Sequence, residues 1–368
     1  MKRNWTIHYA QVLVLAMFAF FSSTSASLAI VGVNVSGSEY SWETYPIASQ
    51  VDYLQTEGID LIRLPIAWEK LQSTLNGPLT QGEITNLKSF LDLAASRGMQ
   101  VIVDIHNYAR YNPNWAADAA ANGGIVGPDA PDALPIGSSS VPISAFQDFW
   151  TKLAGVLAGH AALGGYDIMN EPFGLGPGVW PTAAQAAVNG IRSVDMSTTI
   201  YVEGEQWASA YSWPSVNGSL KISDPANNLI YEAHLYFDSN GRGTYAQTYD
   251  QQGAYPNWGV DHVQPFLQWL QQNGAKGYLG EFGVPENDPR WLTVLDNFLN
   301  TLQQNGIPGT YWYYAYPDPS STNSWWPIMS GTDFYMSLVP FANGQDKPQW
   351  SIIAKYNLGQ PTSLRLIQ

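Results

Sequence analysis

Two glutamates stand directly after short apolar stretches of the sequence. Glu171 follows residues 166–169 and Asn170, and Glu281 follows residues 276–279 and a glycine. A carboxyl group at the point where an apolar strand leaves the core can do chemistry when a second carboxyl group faces it. Acetal hydrolysis uses such a pair, because one carboxylic acid protonates the leaving oxygen while the other carboxylate meets the positive charge that forms at the sugar carbon.

Other polar and aromatic side chains occupy the same kind of position. The ends of apolar stretches also carry Asn34, Arg63, His106, Asn170, Glu203, Glu205, His234, Tyr236 and Trp312. A turn that only leaves a strand is more often built from Gly, Ser or Asp. Glu203 and Glu205 compete with Glu171 and Glu281 for the catalytic roles. A supporting hydrogen-bond role is the interpretation that we prefer for Glu203.

Eight short β-rich stretches, alternating with amphipathic helical patterns, must position these residues. The predicted strands are 30–35, 61–64, 101–105, 166–169, 199–202, 229–235, 276–279 and 310–313. The predicted helices are 47–57, 83–97, 143–158, 182–194, 260–273 and 290–305. Eight alternations predict a single (β/α)₈ TIM barrel, whose catalytic residues lie at the carboxyl ends of its strands. An open doubly wound sheet is the alternative, but its Gly-rich phosphate loop is missing from the sequence.

Two further segments complete this scheme. Residues 110–142 are rich in Ala, Gly, Pro and Ser and lie between a predicted strand and helix, so we expect a long βα loop over the active-site face. Residues after Lys347 are expected to form a closing helix.

The N-terminus has the pattern of an export signal. Lys2 and Arg3 precede an apolar stretch at 12–21, and small residues follow it. That stretch is shorter than the ~20 residues that a membrane-spanning helix needs. We therefore expect a signal peptide at 1–26, or cleavage after residue 29, a catalytic domain at 27–368 and a secreted protein without a membrane partner after signal removal.

Charge and cysteine content exclude several kinds of partner. The chain has 16 basic and 30 acidic residues, so loss of Lys2 and Arg3 leaves 14 − 30 = −16. Nucleic acid needs a basic face, which makes it an unexpected partner. With no cysteine, the chain has neither disulfides nor zinc–thiolate sites. His106 and His234 lie on different strands without a third ligand nearby in the sequence, so we expect neither a metal ion nor a cofactor. We also expect the protein to be a monomer.

Aromatic residues point towards carbohydrate. The chain has 15 Trp and 21 Tyr against only 12% charged residues. Sugar rings present C–H faces that stack on aromatic rings. Tyr40, Trp68, Trp180 and Trp207 are candidates for such platforms, with a place in the core as the alternative for each.

Five motifs resemble glycoside hydrolase family 5, and within it the secreted microbial endo-β-1,4-glucanases. They are LIRLP at 61–65, DIHNYAR at 104–110, IMNEP at 168–172, AHLYFDS at 233–239 and LGEFG at 279–283. The resemblance implies a (β/α)₈ barrel that retains anomeric configuration, with Glu171 as acid/base and Glu281 as nucleophile. It also implies that Arg63, His106, Asn170, His234, Tyr236 and Trp312 bind the substrate or hold the catalytic pair.

Several alternatives stay open on the sequence. β-Mannan, xyloglucan and exo-acting β-glucan hydrolysis use the same catalytic pair and differ in loops and subsites. A non-catalytic carbohydrate-binding barrel is the alternative from another class of protein. No linker or separate binding module follows the barrel, so soluble or amorphous β-1,4-glucan is favoured over crystalline cellulose.

Overall fold

A computed structural model describes residues 31–40, 45–121, 132–315, 336–341 and 343–357. The predicted signal peptide lies outside these residues.

Eight parallel strands close into a barrel, as the alternating pattern predicts. Around the barrel, β1, β2, β3, β6, β7, β8, β9 and β10 follow one another, and β10 pairs with β1. Their bounds are Val31–Ser36 (β1), Leu61–Ile66 (β2), Gln100–Ile105 (β3), Leu163–Asp167 (β6), Ile200–Glu203 (β7), Leu229–His234 (β8), Gly277–Phe282 (β9) and Gly309–Ala315 (β10).

All eight predicted strands are confirmed, with shifted ends. The largest shift is at β6, which ends at Asp167. Ile168 and Met169, predicted as strand, are fully buried but lie beyond it. Their apolar character reflects burial at the top of the barrel, which an apolar stretch alone cannot distinguish from strand pairing.

The helices cover the barrel from outside. Their bounds are Ala48–Thr56 (α1), Trp68–Leu71 (α2), Gln81–Ser96 (α3), Trp115–Ala121 (α4), Ile143–Leu157 (α5), Val179–Arg192 (α6), Trp213–Asn217 (α7), Trp258–Asn273 (α8), Arg290–Gln304 (α9) and Gln349–Asn357 (α10). The six predicted helices and the closing helix are confirmed. In α5, Phe146, Phe149, Trp150 and Leu153 are buried at the three- and four-residue spacing of one helix face.

The long loop after β3 contains structure of its own. Arg110–Tyr111 (β4) pairs antiparallel with Leu134–Pro135 (β5), and α4 lies between them. This small hairpin ties the two ends of the loop together. Residues 122–131 lie outside the described part of the chain.

Within the described ranges, every helix falls short of the length or the apolar character required to cross a membrane.

Candidate active site

A cleft of about 1030 Å³ opens at the carboxyl ends of the barrel strands. Glu171, just after β6, and Glu281, on β9, both line it. Parallel strands in a barrel all end at the same face, which is why side chains 110 positions apart in the sequence meet here. The volume is at the upper end of the ~300–1,000 Å³ of small-molecule sites, so the cleft has room for an extended ligand.

The two glutamates face each other across His234. Carboxylate oxygens of Glu171 and Glu281 lie within 4.8 Å of one another. Nδ1 of His234 is 2.8 Å from Oε1 of Glu171 and 3.6 Å from Oε2 of Glu281. Retaining glycosidases hold their carboxyl groups ~5–5.5 Å apart, whereas inverting enzymes need ~6.5–9.5 Å to admit a water molecule. The spacing is therefore that of a retaining pair.

Glu281 is held in its ionised form. Arg63 Nη1 lies 3.1 Å from Oε1, and the Tyr236 hydroxyl donates to Oε2 at 2.7 Å. Burial opposes the charge, but His234 and Arg63 outweigh it and lower the pKa of Glu281 below its ordinary value. The family resemblance implied that Arg63 holds Glu281 in its ionised state, and the structure adds His234 as a second contributor. An ionised carboxylate is what nucleophilic attack requires.

Glu171 has the opposite setting. Burial raises its pKa above the ordinary value, although the hydrogen bond with His234 opposes the rise. Its backbone has φ of 44°, in the left-handed region that a non-glycine residue seldom adopts. A residue that precedes a proline ordinarily favours an extended backbone, and Glu171, which precedes Pro172, departs from that preference. The amide N–H of Glu171 donates to Oε2 of Glu203 at 2.6 Å, which fixes this unusual turn.

Arg63 is the centre of the polar network below the cleft. It is fully buried, and its N–H groups point at oxygen atoms of Asn34, Asp167, Asn170, Glu203 and Glu281. The side chain thus links the ends of β1, β2, β6, β7 and β9. Asn170 accepts from Arg63 at 3.0 Å, and its own Nδ2 donor has no partner among the described residues.

His106 is oriented by the acid two residues before it. Nδ1 of His106 lies 2.7 Å from Oδ2 of Asp104, and the ring stacks on Trp312 with centroids 5.6 Å apart and planes 12° apart. Burial lowers the pKa of His106, so the ring is neutral.

The predicted sugar platforms divide into two groups. Tyr40, Trp207 and Trp312 line the cleft, and Trp207 is 47% exposed. Trp207 stacks on Phe173 with centroids 4.8 Å apart.

Trp68 and Trp180 were predicted wrongly as platforms. Both are 0% exposed, so neither ring can contact a ligand. Trp68 packs against Phe146 and Phe149 of α5, and the indole of Trp180 donates to the backbone oxygen of Glu203 at 2.8 Å. Each begins or enters a helix behind the barrel, a place where a large ring fills the space between helix and strands.

A second aromatic group in the cleft was missed. Tyr211 is 59% exposed, His262 lies 4.7 Å from it, and Trp258 stacks parallel on His262 at 4.6 Å. All three line the cleft. The spacing of Trp258 and His262 by four residues places them on one face at the start of α8, and this was the available signal.

Two groups of acidic and histidine side chains place their oxygen and nitrogen atoms as close together as the ligands of a metal ion. Within the described residues they are Glu171, His234 and Glu281, and Glu203, Glu232 and His234. His234 belongs to both. Its Nδ1 faces Glu171 and its Nε2 faces Glu203 at 3.2 Å, so the ring nitrogens already meet carboxylates. Nδ1 makes a hydrogen bond with Glu171, whereas Nε2 lies near Glu203 without a hydrogen-bond partner among the described residues.

An eight-stranded barrel with two close glutamates at the carboxyl ends of its strands, one with a lowered and the other with a raised pKa, is typical of a glycoside hydrolase. The model of the cellulase family, glycosyl hydrolase family 5, matches residues 25–317, and the chain belongs to that family.

Solved structures agree with this assignment. The chain is similar to the Pseudomonas stutzeri endoglucanase Cel5A in complex with cellobiose, at 39% identity over 89% of this chain and 92% of that one, with a TM-score of 0.76. XacCel5A in complex with cellopentaose is 31% identical over 90% and 99% of the two chains, with a TM-score of 0.74. The manganese dependent endoglucanase Eg5A of Phanerodontia chrysosporium is 29% identical over 89% of this chain and 79% of its own length.

Proposed function

We propose that this protein is an exported, monomeric, endo-acting glucanase that hydrolyses β-1,4 bonds of soluble or amorphous glucans with retention. The observation that carries the proposal is the unlike pair of glutamates, with oxygens within 4.8 Å and pKa values shifted in opposite directions. Opposite shifts in one cleft assign one carboxyl group as acid and the other as nucleophile.

The reaction has two balanced steps. In the first, a carboxylate oxygen of Glu281 attacks the anomeric carbon while Glu171 gives its proton to the glycosidic oxygen, which leaves as an alcohol. In the second, the ionised Glu171 takes a proton from water, the resulting hydroxide oxygen bonds to the same carbon, and Glu281 is released. Two inversions at one carbon give net retention.

Side chains around the pair have separate tasks. Tyr236 and Arg63 hold Glu281, and His106 and Trp312 form a stacked wall beside it on which the sugar preceding the cleaved bond can rest. Asn170 keeps a free Nδ2 donor next to the acid/base, suited to a sugar hydroxyl.

The leaving side of the substrate lies over the loops after β6 and β7. Glu171 protonates the leaving oxygen, so the sugars that depart must extend from its side of the cleft. Trp207 stands on that side, stacked on Phe173, and the rings of Tyr211, His262 and Trp258 continue it. A cleft with rings on both sides of the catalytic pair supports cleavage within a chain, which we infer as endo action.

Substitution of each glutamate tests the catalytic part of the proposal. Glu171→Gln and Glu281→Gln are compared with wild type on carboxymethyl cellulose, with folding checked by circular dichroism. Glu205→Gln serves as the matched control, because Glu205 is near β7 but does not line the cleft. Near wild-type turnover by both folded variants would favour a non-catalytic carbohydrate-binding barrel.

A substrate panel tests the specificity. Soluble β-1,4-glucan, mixed-linkage glucan, xyloglucan and β-mannan are compared, and the sizes of early products are read by chromatography. We expect the highest turnover on β-1,4-glucan and products of several lengths. Faster turnover of mannan or xyloglucan would redirect the substrate assignment, and a single short product from the outset would indicate exo action.

A further inference from the structure

Five buried carboxyl groups surround the single guanidinium of Arg63. Nitrogen-to-oxygen distances are 2.7 Å for Asp167, 3.0 Å for Glu203, 3.1 Å for Glu281 and for Asp104, and 3.2 Å for Glu232. Arg63, Asp104, Asp167, Glu203 and Glu232 are 0% exposed. Even with His234 protonated, five carboxylates would leave a net charge of −3 in a site without solvent. Since unpaired buried charge is very costly, some of these groups must keep their protons.

Hydrogen bonds separate the members of this group. An arginine has five N–H donors. In Arg63, Nε donates to Asp167, Nη1 donates to Asn34 and Glu281, and the two N–H groups of Nη2 are shared among Asp167, Asn170 and Glu203. Glu203 also accepts the amide N–H of Glu171, so both of its oxygens meet donors. Glu203 therefore has the surroundings of an ionised carboxylate.

Glu232 has the surroundings of a neutral acid. It pairs in register with Glu203 across β7 and β8, but neither of its carboxyl oxygens has a hydrogen-bond partner. Arg63 Nε is 3.2 Å away, yet its N–H is directed at Asp167. The carboxyl group fills space left by a glycine, since a Cβ at Gly280 would collide with Glu232 and crowd His234 Nε2. Burial raises the pKa of Glu203 to about 8 and that of Glu232 to about 7, so burial disfavours the charge on both acids, and it is the hydrogen bonds that favour the proton on Glu232.

His234 connects this pair to the catalytic centre. Its Nε2 is 3.2 Å from Glu203 and 3.6 Å from Glu232, and its Nδ1 is 2.8 Å from the acid/base. The titratable and charged groups that face this ring from every packed element are Glu171, Glu203, Glu232, Glu281, Asp104 and Arg63. The pKa of His234 is raised, with burial opposing and the charge of Glu203 the foremost favourable contribution.

We propose that Glu203 and Glu232 are positioning residues in opposite protonation states: Glu232 carries a proton, and Glu203 carries the charge that keeps His234 an imidazolium between the two catalytic glutamates. Glu203 has a second task through its other oxygen, because it holds the backbone turn of Glu171. The imidazolium in turn keeps Glu281 ionised. The effect on catalysis rests on the proposed function, whereas the protonation states do not.

The test is the titration of His234, followed by nitrogen NMR on protein with ¹⁵N-labelled histidine. Its signals are assigned from single variants of the other histidines. In wild type we expect both ring nitrogens to be protonated at pH 7. Glu203→Gln removes the charge, so the pKa of His234 falls by about one unit or more. Glu232→Gln replaces one neutral group by another and leaves that pKa within a few tenths of a unit.

The two variants decide the assignment together. Equal lowering by both would mean that both acids are ionised, and no lowering by Glu203→Gln would mean that His234 owes its state to other groups; either result overturns the proposal. Glu205→Gln, from the same segment, is the control and should leave the titration unchanged. A variant that does not fold, as judged by circular dichroism, is replaced by Glu203→Asp, which keeps the charge and should keep the wild-type titration of His234.

Substrate kinetics separate the backbone task from the charge. The amide oxygen of glutamine can still accept the Glu171 N–H, whereas alanine cannot. Glu203→Ala should therefore lose about tenfold more kcat than Glu203→Gln, in line with the cost of misplacing a catalytic group. Equal loss by both variants would remove the backbone task. If the protein hydrolyses glucan but His234 is neutral, this inference fails and the proposed function stands. If His234 titrates as expected but the protein is inactive on every glucan, the proposed function fails and this inference stands.

Discussion

The ends of β6 and β9 carry the same residue in two different environments. Glu281 at β9 meets a guanidinium, a tyrosine hydroxyl and the edge of His234, and its pKa is lowered. Glu171 beyond β6 meets His234 but no guanidinium, sits on a left-handed turn, and has a raised pKa. Chemically identical side chains thus have pKa values shifted in opposite directions by the neighbours that each strand end provides.

Azide rescue should give the largest difference between variants of the two glutamates. In Glu281→Gly, azide can take the place of the missing nucleophile, attack the substrate directly and give an inverted glycosyl azide. In Glu171→Ala, the glycosyl–enzyme still forms, so azide attacks in the second step and gives a retained product. Without azide, each variant should lose about 10²-fold to 10⁴-fold or more in turnover. The configuration of the products is read by NMR, and the same configuration from both variants would contradict the assignment of roles.

Loss of the Tyr236 hydrogen bond should change the pH dependence of the reaction. Tyr236→Phe removes a hydrogen bond that favours the charged form of Glu281, so the pKa of Glu281 rises. The nucleophile then needs a higher pH to ionise, and the acidic limb of the kcat/KM profile moves upward. The alkaline limb reports deprotonation of Glu171 and should move less. A profile measured on a soluble oligosaccharide checks this, and an unchanged acidic limb would show that Tyr236 does not set the ionisation.

A smaller effect is expected at the leaving-group side of the cleft. Tyr211→Ala removes an exposed ring, so KM for cellohexaose should rise about three- to tenfold while cellotriose is little affected, consistent with ~1 kcal/mol for such a contact. Phe341→Ala is the control, since Phe341 is also exposed but does not line the cleft. Equal KM changes for both substrates would place Tyr211 outside the substrate path.

Metal removal should have the smallest effect. Both ring nitrogens of His234 face carboxylates, so chelation followed by added Mn²⁺ should leave the rate within about twofold of the untreated enzyme. This would distinguish the chain from its relative named as manganese dependent. Loss of activity on chelation, followed by recovery when Mn²⁺ is added, would show that the acids around His234 bind a metal ion.

Local patterns were enough to predict the barrel. Each barrel strand and each of the six longer helices was predicted from its own periodicity, and the number of alternations gave the closure, because the barrel repeats one local unit eight times. The short elements β4, β5, α2, α4 and α7 were not predicted. The position of Glu171 and Glu281 at strand ends followed from the same patterns. The left-handed backbone of Glu171 did not follow, since it depends on an acceptor supplied by β7, 32 positions later.

Local sequence patterns do not predict which aromatic rings are buried. Trp68 and Trp207 both follow barrel strands closely in the chain, yet one is fully buried and the other is 47% exposed. Whether a ring points into the helix layer or into the cleft depends on packing by α5 in one case and on the loop after β7 in the other. Neither neighbour is visible in the few residues around the tryptophan.

By itself, the sequence determined the eight barrel strands, the six longer helices and the closing helix, the family motifs and the positions of the two glutamates, because each is written in adjacent residues. Only the tertiary structure decided how the protons are distributed among those acids. Arg63, His234, Glu203, Glu232 and the two glutamates come from five different segments, and the free energy of a buried charge depends on distances of about 3 Å that exist only once the barrel has closed.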